Sequence, residues 1–200
     1  MVPVLAELFV ALKGQTNIFA FYARSRELFQ GIDFPGINRL FVNVHSNFSE
    51  PVRVGLSFTV GTAIARNEDV PELGNQLELS ANSTIRPTQR LVLQPSISYS
   101  QLQDQQSGEN FFSGYVVRTR TNYQFTRRLF ARVVFQYNDF SERLEIDPLV
   151  TYKINPFTAI FVGSTHDVNR LEMTGAPGKP RQFHQTDRQF FFKLQYLFRR

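Results

Sequence analysis

The stretch TNYQFTRRLFARVVFQYN (121–138) decides how this sequence is interpreted. From Leu129 onward every second residue is apolar, and the intervening positions include the charged Arg132. A period of two is that of a β-strand, whose successive side chains point to opposite faces. The stretch therefore predicts a strand with one wholly apolar face and one largely polar face.

The composition excludes several classes of protein. Apolar residues make up 42% of the 200 residues and include 21 Phe, which is too many for a disordered chain. Transmembrane helices are excluded because no run of about 18 apolar residues occurs. A mean hydropathy of −0.24 still fits a transmembrane barrel, whose strands are only half apolar. The absence of Cys excludes disulfides and thiolate metal sites.

The period of two recurs along the chain and predicts eleven strands in a single domain, 1–200. The predicted strands are 4–12, 17–24, 38–47, 51–64, 74–86, 89–102, 110–125, 127–139, 142–153, 156–167 and 188–199. The alternation is clearest over 38–199 and weakest over 1–37. Many strands reach roughly 10–14 residues, whereas globular strands average about 5–6 and a bilayer needs about 9–11 tilted residues.

The predicted connections alternate in length. NFSEP, RPTQ, TRR and INP are short, whereas ARNEDVPELGN, QDQQSGEN, DFSE and DVNRLEMTGAPGKPRQFHQTD fall between them and are mostly longer. Short turns on one rim and longer loops on the other are typical of outer-membrane barrels, with the short rim in the periplasm. The fold class predicted here is therefore all-β, an antiparallel transmembrane β-barrel.

The alternation also predicts which side chains meet lipid and which line the lumen. In hydrocarbon every backbone polar group must be paired internally, which a closed barrel achieves. The side chains predicted to face lipid are Val54, Leu79, Val117, Val133, Phe135 and Phe192. The charged side chains predicted to face the lumen are Arg53, Glu78, Arg118, Arg120, Arg132, Glu145, Asp147, Lys153 and Lys193. Both signs occur, so we expect Arg118, Arg120 and Arg132 to pair with Glu145 and Asp147 across neighbouring strands.

Aromatic residues gather near the strand ends, as expected of girdles at two membrane interfaces. Near the short turns lie Tyr123, Phe125, Tyr152, Phe157, Tyr196 and Phe198, and near the longer loops lie Tyr99, Phe111, Phe112, Tyr137 and Phe140. Membrane lipids are therefore the predicted partner. A soluble β-sandwich or lipid-binding β-barrel remains the alternative, because alternation alone does not say which face is wet.

Three stretches resemble one family of Gram-negative outer-membrane proteins. They are TNYQFTRRLFARVVFQYNDFS (121–141), IDPLVTYKINPFTAIFVGSTHD (146–167) and FFFKLQYLF (190–198), and RPTQRLVLQPSISYSQL (86–102) fits more loosely. The family is a C-terminal β-barrel domain of unknown function behind a family-9-type carbohydrate-binding module. The resemblance implies an outer-membrane barrel, an N-terminal domain elsewhere in the protein and possible contact with carbohydrate. It implies no catalytic residues.

Motifs for catalysis are weak. GSTHD places Ser164, His166 and Asp167 together, but Ser164 and His166 are two residues apart on one strand and no GxSxG elbow occurs. The three histidines are dispersed, without metal-ligand spacing, so no metal or cofactor is predicted. The net charge of +5 is scattered, and nucleic acid is not an expected partner.

These observations predict an outer-membrane barrel that serves as a pore, or as the anchor and conduit for a further domain. An outer-membrane hydrolase is the competing class. Bacterial single-chain barrels have an even number of strands with both termini in the periplasm. Eleven strands do not meet that rule, and no signal peptide is visible at the start of the sequence. We therefore expect this chain to be the C-terminal part of a larger barrel.

Overall fold

The computed structural model describes residues 4–66, 70–171 and 182–198, and all of its regular structure is β-strand. No helix in these ranges is long and apolar enough to cross a membrane. The strands are β1 Val4–Leu12, β2 Thr16–Phe29, β3 Ile32–Ser49, β4 Val52–Ala65, β5 Glu72–Thr88, β6 Leu91–Asp104, β7 Asn110–Gln124, β8 Leu129–Asn138, β9 Arg143–Asn155, β10 Thr158–Leu171 and β11 Gln182–Tyr196. The prediction of eleven strands is confirmed.

The strands form one antiparallel sheet in which each strand neighbours the next in sequence, from β1 to β11. This order follows from short connections, because consecutive antiparallel strands need only a tight turn. Within the described residues β1 and β11 are the two edge strands. Closure of the sheet into a barrel, and strands beyond this chain, stay predictions.

The chain divides into two compact units. Unit 1 comprises Met1–Ser83 and Ser96–Tyr115, and unit 2 comprises Thr84–Pro95 and Val116–Arg200. Unit 1 holds a small apolar cluster of Phe34, Ile37 and Ile64, against which Phe29 and Leu73 pack. Unit 2 holds a single buried apolar side chain among those described, Val134. Among the described residues, buried apolar side chains are therefore few in both units.

One hairpin was not predicted from the sequence. β2 continues to Phe29 and β3 begins at Ile32, where the prediction left 25–37 as a connection. Gln30 and Gly31 have φ values of 52° and 80°, and positive φ at both central residues is what a two-residue type I′ hairpin turn requires. The same pair of strands contains a β-bulge, where the register between β2 and β3 shifts between Ser25 and Arg26. The bulge admits Pro35 into β3, since proline within a sheet is confined to edges and bulges.

Short connections alternate with longer ones along most of the chain. β3 and β4 are joined by two residues, and so are β5 to β6 and β9 to β10, whereas 66–71 and 105–109 are longer. The alternation fails at two places. The turn at Gln30 and Gly31 is short where a long loop is expected, and the consecutive connections 125–128 and 139–142 are equally long. The loop between β10 and β11, predicted over 167–187, is shorter than predicted, because β10 continues to Leu171 and β11 begins at Gln182. Residues 172–181 between them lie outside the described residues.

Candidate functional site

The strand register places most of the predicted charged side chains of unit 2 on one face of its sheet. Directly opposed residues of antiparallel neighbours share a face. One such row runs across five strands and contains Arg118, Gln136, Glu145, Asp167 and Asp187. Arg120, Arg132, Asp147, Lys153 and Lys193 occupy neighbouring rows of the same face. We call this surface the polar face and the opposite one the apolar face.

Arg143 organises the acidic side chains of the polar face. Its NH2 nitrogen lies 2.7 Å from Asp167 Oδ2, and its Nε lies 3.0 Å from Glu145 Oε1. Gln136 Nε2 donates to the other oxygen of Glu145 at 3.1 Å. Asp167 is buried, with 8% of its surface exposed, so the pair with Arg143 neutralises a charge that would otherwise be costly.

One ion pair was not predicted. Glu145 was expected to pair with Arg118, Arg120 or Arg132, and the structure pairs it with Arg143, two residues away on the same strand. Arg120 Nε donates instead to Gln94 Oε1 on β6, at 2.7 Å. The alternation of Arg143 with Glu145 and Asp147 was the available signal, because residues two apart in a strand share a face.

Several buried oxygens on the polar face have no hydrogen-bond partner. They are the Oδ1 atoms of Asp147, Asp167 and Asn169. Buried polar atoms are nearly always satisfied by protein or by water, so this part of the face suits a hydrated environment. Among the described residues no group of three His, Asp or Glu side chains could hold a metal ion.

A second region of the polar face, toward the turn between β7 and β8, is a cavity of about 360 Å³. It is lined by two arginines, by uncharged polar residues and by apolar and aromatic residues. They are Arg90 and Arg132; Gln89, Asn122, Gln124 and Thr151; and Val92, Tyr123, Phe130, Ala131, Leu149 and Phe161. Lys153 Nζ lies 4.9 Å from the Phe130 ring centroid, and Lys193 Nζ lies 5.8 Å from that of Phe161. We call this region the basic cavity.

The other two predicted charged residues, Arg53 and Glu78, belong to unit 1. Arg53 is exposed, and Glu78 accepts a hydrogen bond from Gln76 Nε2 at 2.7 Å. The nine side chains are therefore divided between the two units. Within unit 1 the corresponding face also carries aromatic rings: the centroids of Phe21 and Phe41 lie 5.4 Å apart.

The residues predicted to meet lipid lie on well-exposed positions of the sheet. Leu79, Val133, Phe135 and Phe192 are exposed, and Val54 and Val117 are half-buried. Register pairs Val133 with Pro148, Phe135 with Ile146 and Phe192 with Val162, so apolar side chains oppose one another across β8–β9 and β10–β11. Whether this face meets lipid stays a prediction.

The predicted aromatic girdle residues also occupy the surface. Tyr123, Phe125, Tyr152, Phe157, Tyr196 and Phe198 are all exposed, and Tyr99 and Tyr137 are half-buried. Two pairs pack edge to face, Tyr123 with Phe125 at 4.7 Å and Tyr196 with Phe198 at 4.5 Å between ring centroids. Edge-to-face contact is the favoured geometry of aromatic pairs.

Ser164 and His166 form a hydrogen bond, with 2.9 Å between Ser164 Oγ and His166 Nε2. Asp167 cannot complete a triad with them, because it lies on the opposite face and is paired with Arg143. Ser164 is also buried, with 7% of its surface exposed. The arrangement therefore offers neither an accessible nucleophile nor an acid to orient the histidine.

Unit 1 carries a second cavity of about 440 Å³ on its apolar face. Its walls include Val42, Leu56, Phe58, Leu79 and Ile97, with the smaller Ala81 among them. It is an apolar depression without a charged side chain.

No family model matches this chain, and no curated protein matches it. The resemblance to barrel domains behind carbohydrate-binding modules stays a prediction.

Proposed function

We propose that this chain is a membrane-embedded β-barrel domain of an outer membrane, with its apolar face against lipid and its polar face along an aqueous path. It serves as a pore, or as the anchor and conduit of a protein with a further domain. By the resemblance of 121–141, 146–167 and 190–198, that further domain would be carbohydrate-binding.

The observation that carries the proposal is the distribution of burial. Among the described residues six apolar side chains are buried, whereas 33 large apolar side chains are exposed, and none of the large side chains is fully buried. A soluble domain rarely exposes contiguous apolar surface of this extent. In a bilayer the same surface contacts hydrocarbon instead of water, so its position outside a protein core costs no free energy there.

The buried polar groups support the same conclusion. Thr59 and Asp167 are buried on the charge-bearing faces of their units, while 33 large apolar side chains are exposed. Around Asp167 the polar face carries an ion-pair cluster and buried oxygens without a hydrogen-bond partner. Both are expected of a face that lines a water-filled interior. Exposed Tyr and Phe near the short turns are consistent with residues at a membrane interface.

Single-cysteine labelling tests the proposal directly, because the chain has no native Cys. Nitroxide labels would be placed at Arg132→Cys and Val133→Cys, with Arg53→Cys and Leu56→Cys as the equivalent pair in unit 1. In lipid vesicles the labels at 133 and 56 should be reached by oxygen, and those at 132 and 53 by a water-soluble nickel complex. Nickel access at 133 and 56, or a chain that stays in solution without detergent or lipid, would contradict the proposal. The second result would favour a soluble lipid-binding barrel.

A further inference from the structure

The part of the polar face nearest the short turns carries cations and no acids among the described residues. Three adjacent rows of this face lie toward the short turns. The first row is Arg132, Leu149, Gly163 and Phe191, and the second is Phe130, Thr151, Phe161 and Lys193. The third row is Lys153, Ala159 and Gln195. These rows contain three cations and no acid. The acids Glu145, Asp147, Asp167 and Asp187 all lie in the rows beyond them. Positive potential is therefore concentrated at the basic cavity.

The cations around the basic cavity have no acidic partner within the part of the chain that the structure describes. Ion pairs among the described residues include those of Arg26 with Asp33, Arg66 with Glu27, and Arg143 with two acids. Arg90, Arg132, Lys153 and Lys193 take part in none of them. Two arginines on the wall of one cavity, both without a carboxylate, leave their guanidinium donors available for an anion.

The other residues that line the cavity indicate what the uncharged part of the ligand would be. Asn122, Gln124 and Thr151 are half-buried and offer further hydrogen-bond donors, while Phe130, Phe161 and Leu149 form an apolar surface. A volume of about 360 Å³ is within the range of small-molecule sites and exceeds the need of a bare inorganic ion. Two arginines together with apolar wall residues fit an organic anion.

We propose that the basic cavity binds a small organic anion whose carboxylate is held by Arg90 and Arg132 and whose apolar body contacts Phe130, Phe161 and Leu149. The site goes beyond the membrane proposal and does not depend on it, since every residue involved belongs to unit 2. If the chain also forms a pore, the same site makes passage selective for such anions.

Binding of benzoate to the folded full chain, in detergent micelles or in buffer, tests the site by calorimetry. Acetate supplies the charge without the apolar body, and benzamide supplies the body without the charge. Benzoate should bind most tightly, benzamide at least about tenfold more weakly because the arginines lose a charged partner, and acetate more weakly than benzoate. Affinity for benzoate should fall as salt is raised.

Substitution separates the site from general surface charge. Arg132→Gln and Arg90→Gln should each weaken benzoate binding by about tenfold, and Arg132→Lys should retain part of the affinity. Arg53→Gln is the matched control, because Arg53 is an exposed arginine of unit 1 without an ion pair to a described acid. Equal loss in the control, equal binding of benzamide, or no benzoate binding at about 10 mM in folded wild type would overturn the proposal. If the nitroxide labels at 133 and 56 were reached by the nickel complex but benzoate still bound, only the membrane proposal would be contradicted.

Discussion

Val133 and Val134 are adjacent in β8 and chemically identical, yet Val133 is 40% exposed and Val134 only 8%. Val134 lies opposite Arg120 and Asp147 on the polar face, whereas Val133 lies opposite Thr121 and Pro148. At this position of β8 the covered side of the sheet is therefore the one that carries the charges. This is the reverse of a soluble sheet, which packs its apolar side against the core.

The two valines make a matched pair for stability. Val134→Ala should lower the free energy of unfolding by about 1–2 kcal/mol, because it leaves a gap among packed neighbours. Val133→Ala should cost less than about 1 kcal/mol, since the site is already open. Denaturant unfolding followed by circular dichroism measures both. A larger loss at Val133 in the absence of lipid would show that the apolar face is packed against protein.

Arg143 should be the most important ion-pairing residue of the polar face. Arg143→Gln leaves Asp167 and Glu145 without their cation, and Asp167 has 12% of its side chain exposed. We expect the free energy of unfolding to fall by about 1–3 kcal/mol. The loss should not be larger, because Arg143 is partly exposed and water screens its ion pairs. Arg66→Gln is the control, because its pair with Glu27 is exposed on both sides and should contribute under about 1 kcal/mol. Equal losses would show that burial of Asp167 does not matter.

Gly61 should tolerate no side chain. A Cβ there would overlap the backbone oxygen of Asn38 and lie 2.9 Å from Arg39 Cα, and backbone atoms of a paired strand cannot move aside cheaply. Gly61→Ala should therefore cost about 2–3 kcal/mol. At Gly55 the added Cβ would meet only the amide end of the Asn82 side chain, which can rotate away. Gly55→Ala should cost under about 1 kcal/mol, and the difference should be seen in thermal unfolding.

The hairpin between β2 and β3 should depend on its turn residues. Gly31→Ala places a Cβ at a φ of 80° and should cost about 1–2 kcal/mol, although nothing lies within 4 Å of that Cβ. Gln30→Asn should be neutral or slightly stabilising, because Asn tolerates positive φ better than Gln. Hydrogen exchange of the Phe29 and Ile32 amides reports on the turn. Unchanged protection in Gly31→Ala would mean that the flanking strands alone fix the hairpin.

The sequence by itself determined the number of strands, their order and the membership of each face. All three depend on local properties: alternation with a period of two, and turns short enough to join neighbours. The residues assigned to the polar face of β7 to β9, such as Arg118, Arg132 and Glu145, lie together on one face because alternation fixes side-chain direction within a strand. The hairpin at Gln30 was missed because Gln-Gly is a weaker turn signal than Asn-Gly.

Only the tertiary structure decided which side chains meet and which face is covered. Glu145 pairs with Arg143 rather than Arg132, because the register between β8 and β9 places Arg132 opposite Leu149. Register is set by backbone pairing between strands, and a period of two is unchanged when one strand slides by two residues. The basic cavity likewise combines residues from β6 to β10, which are far apart in sequence. Alternation separates the two faces of a strand, but the packing across strands decided that Val134 is buried and Val133 exposed.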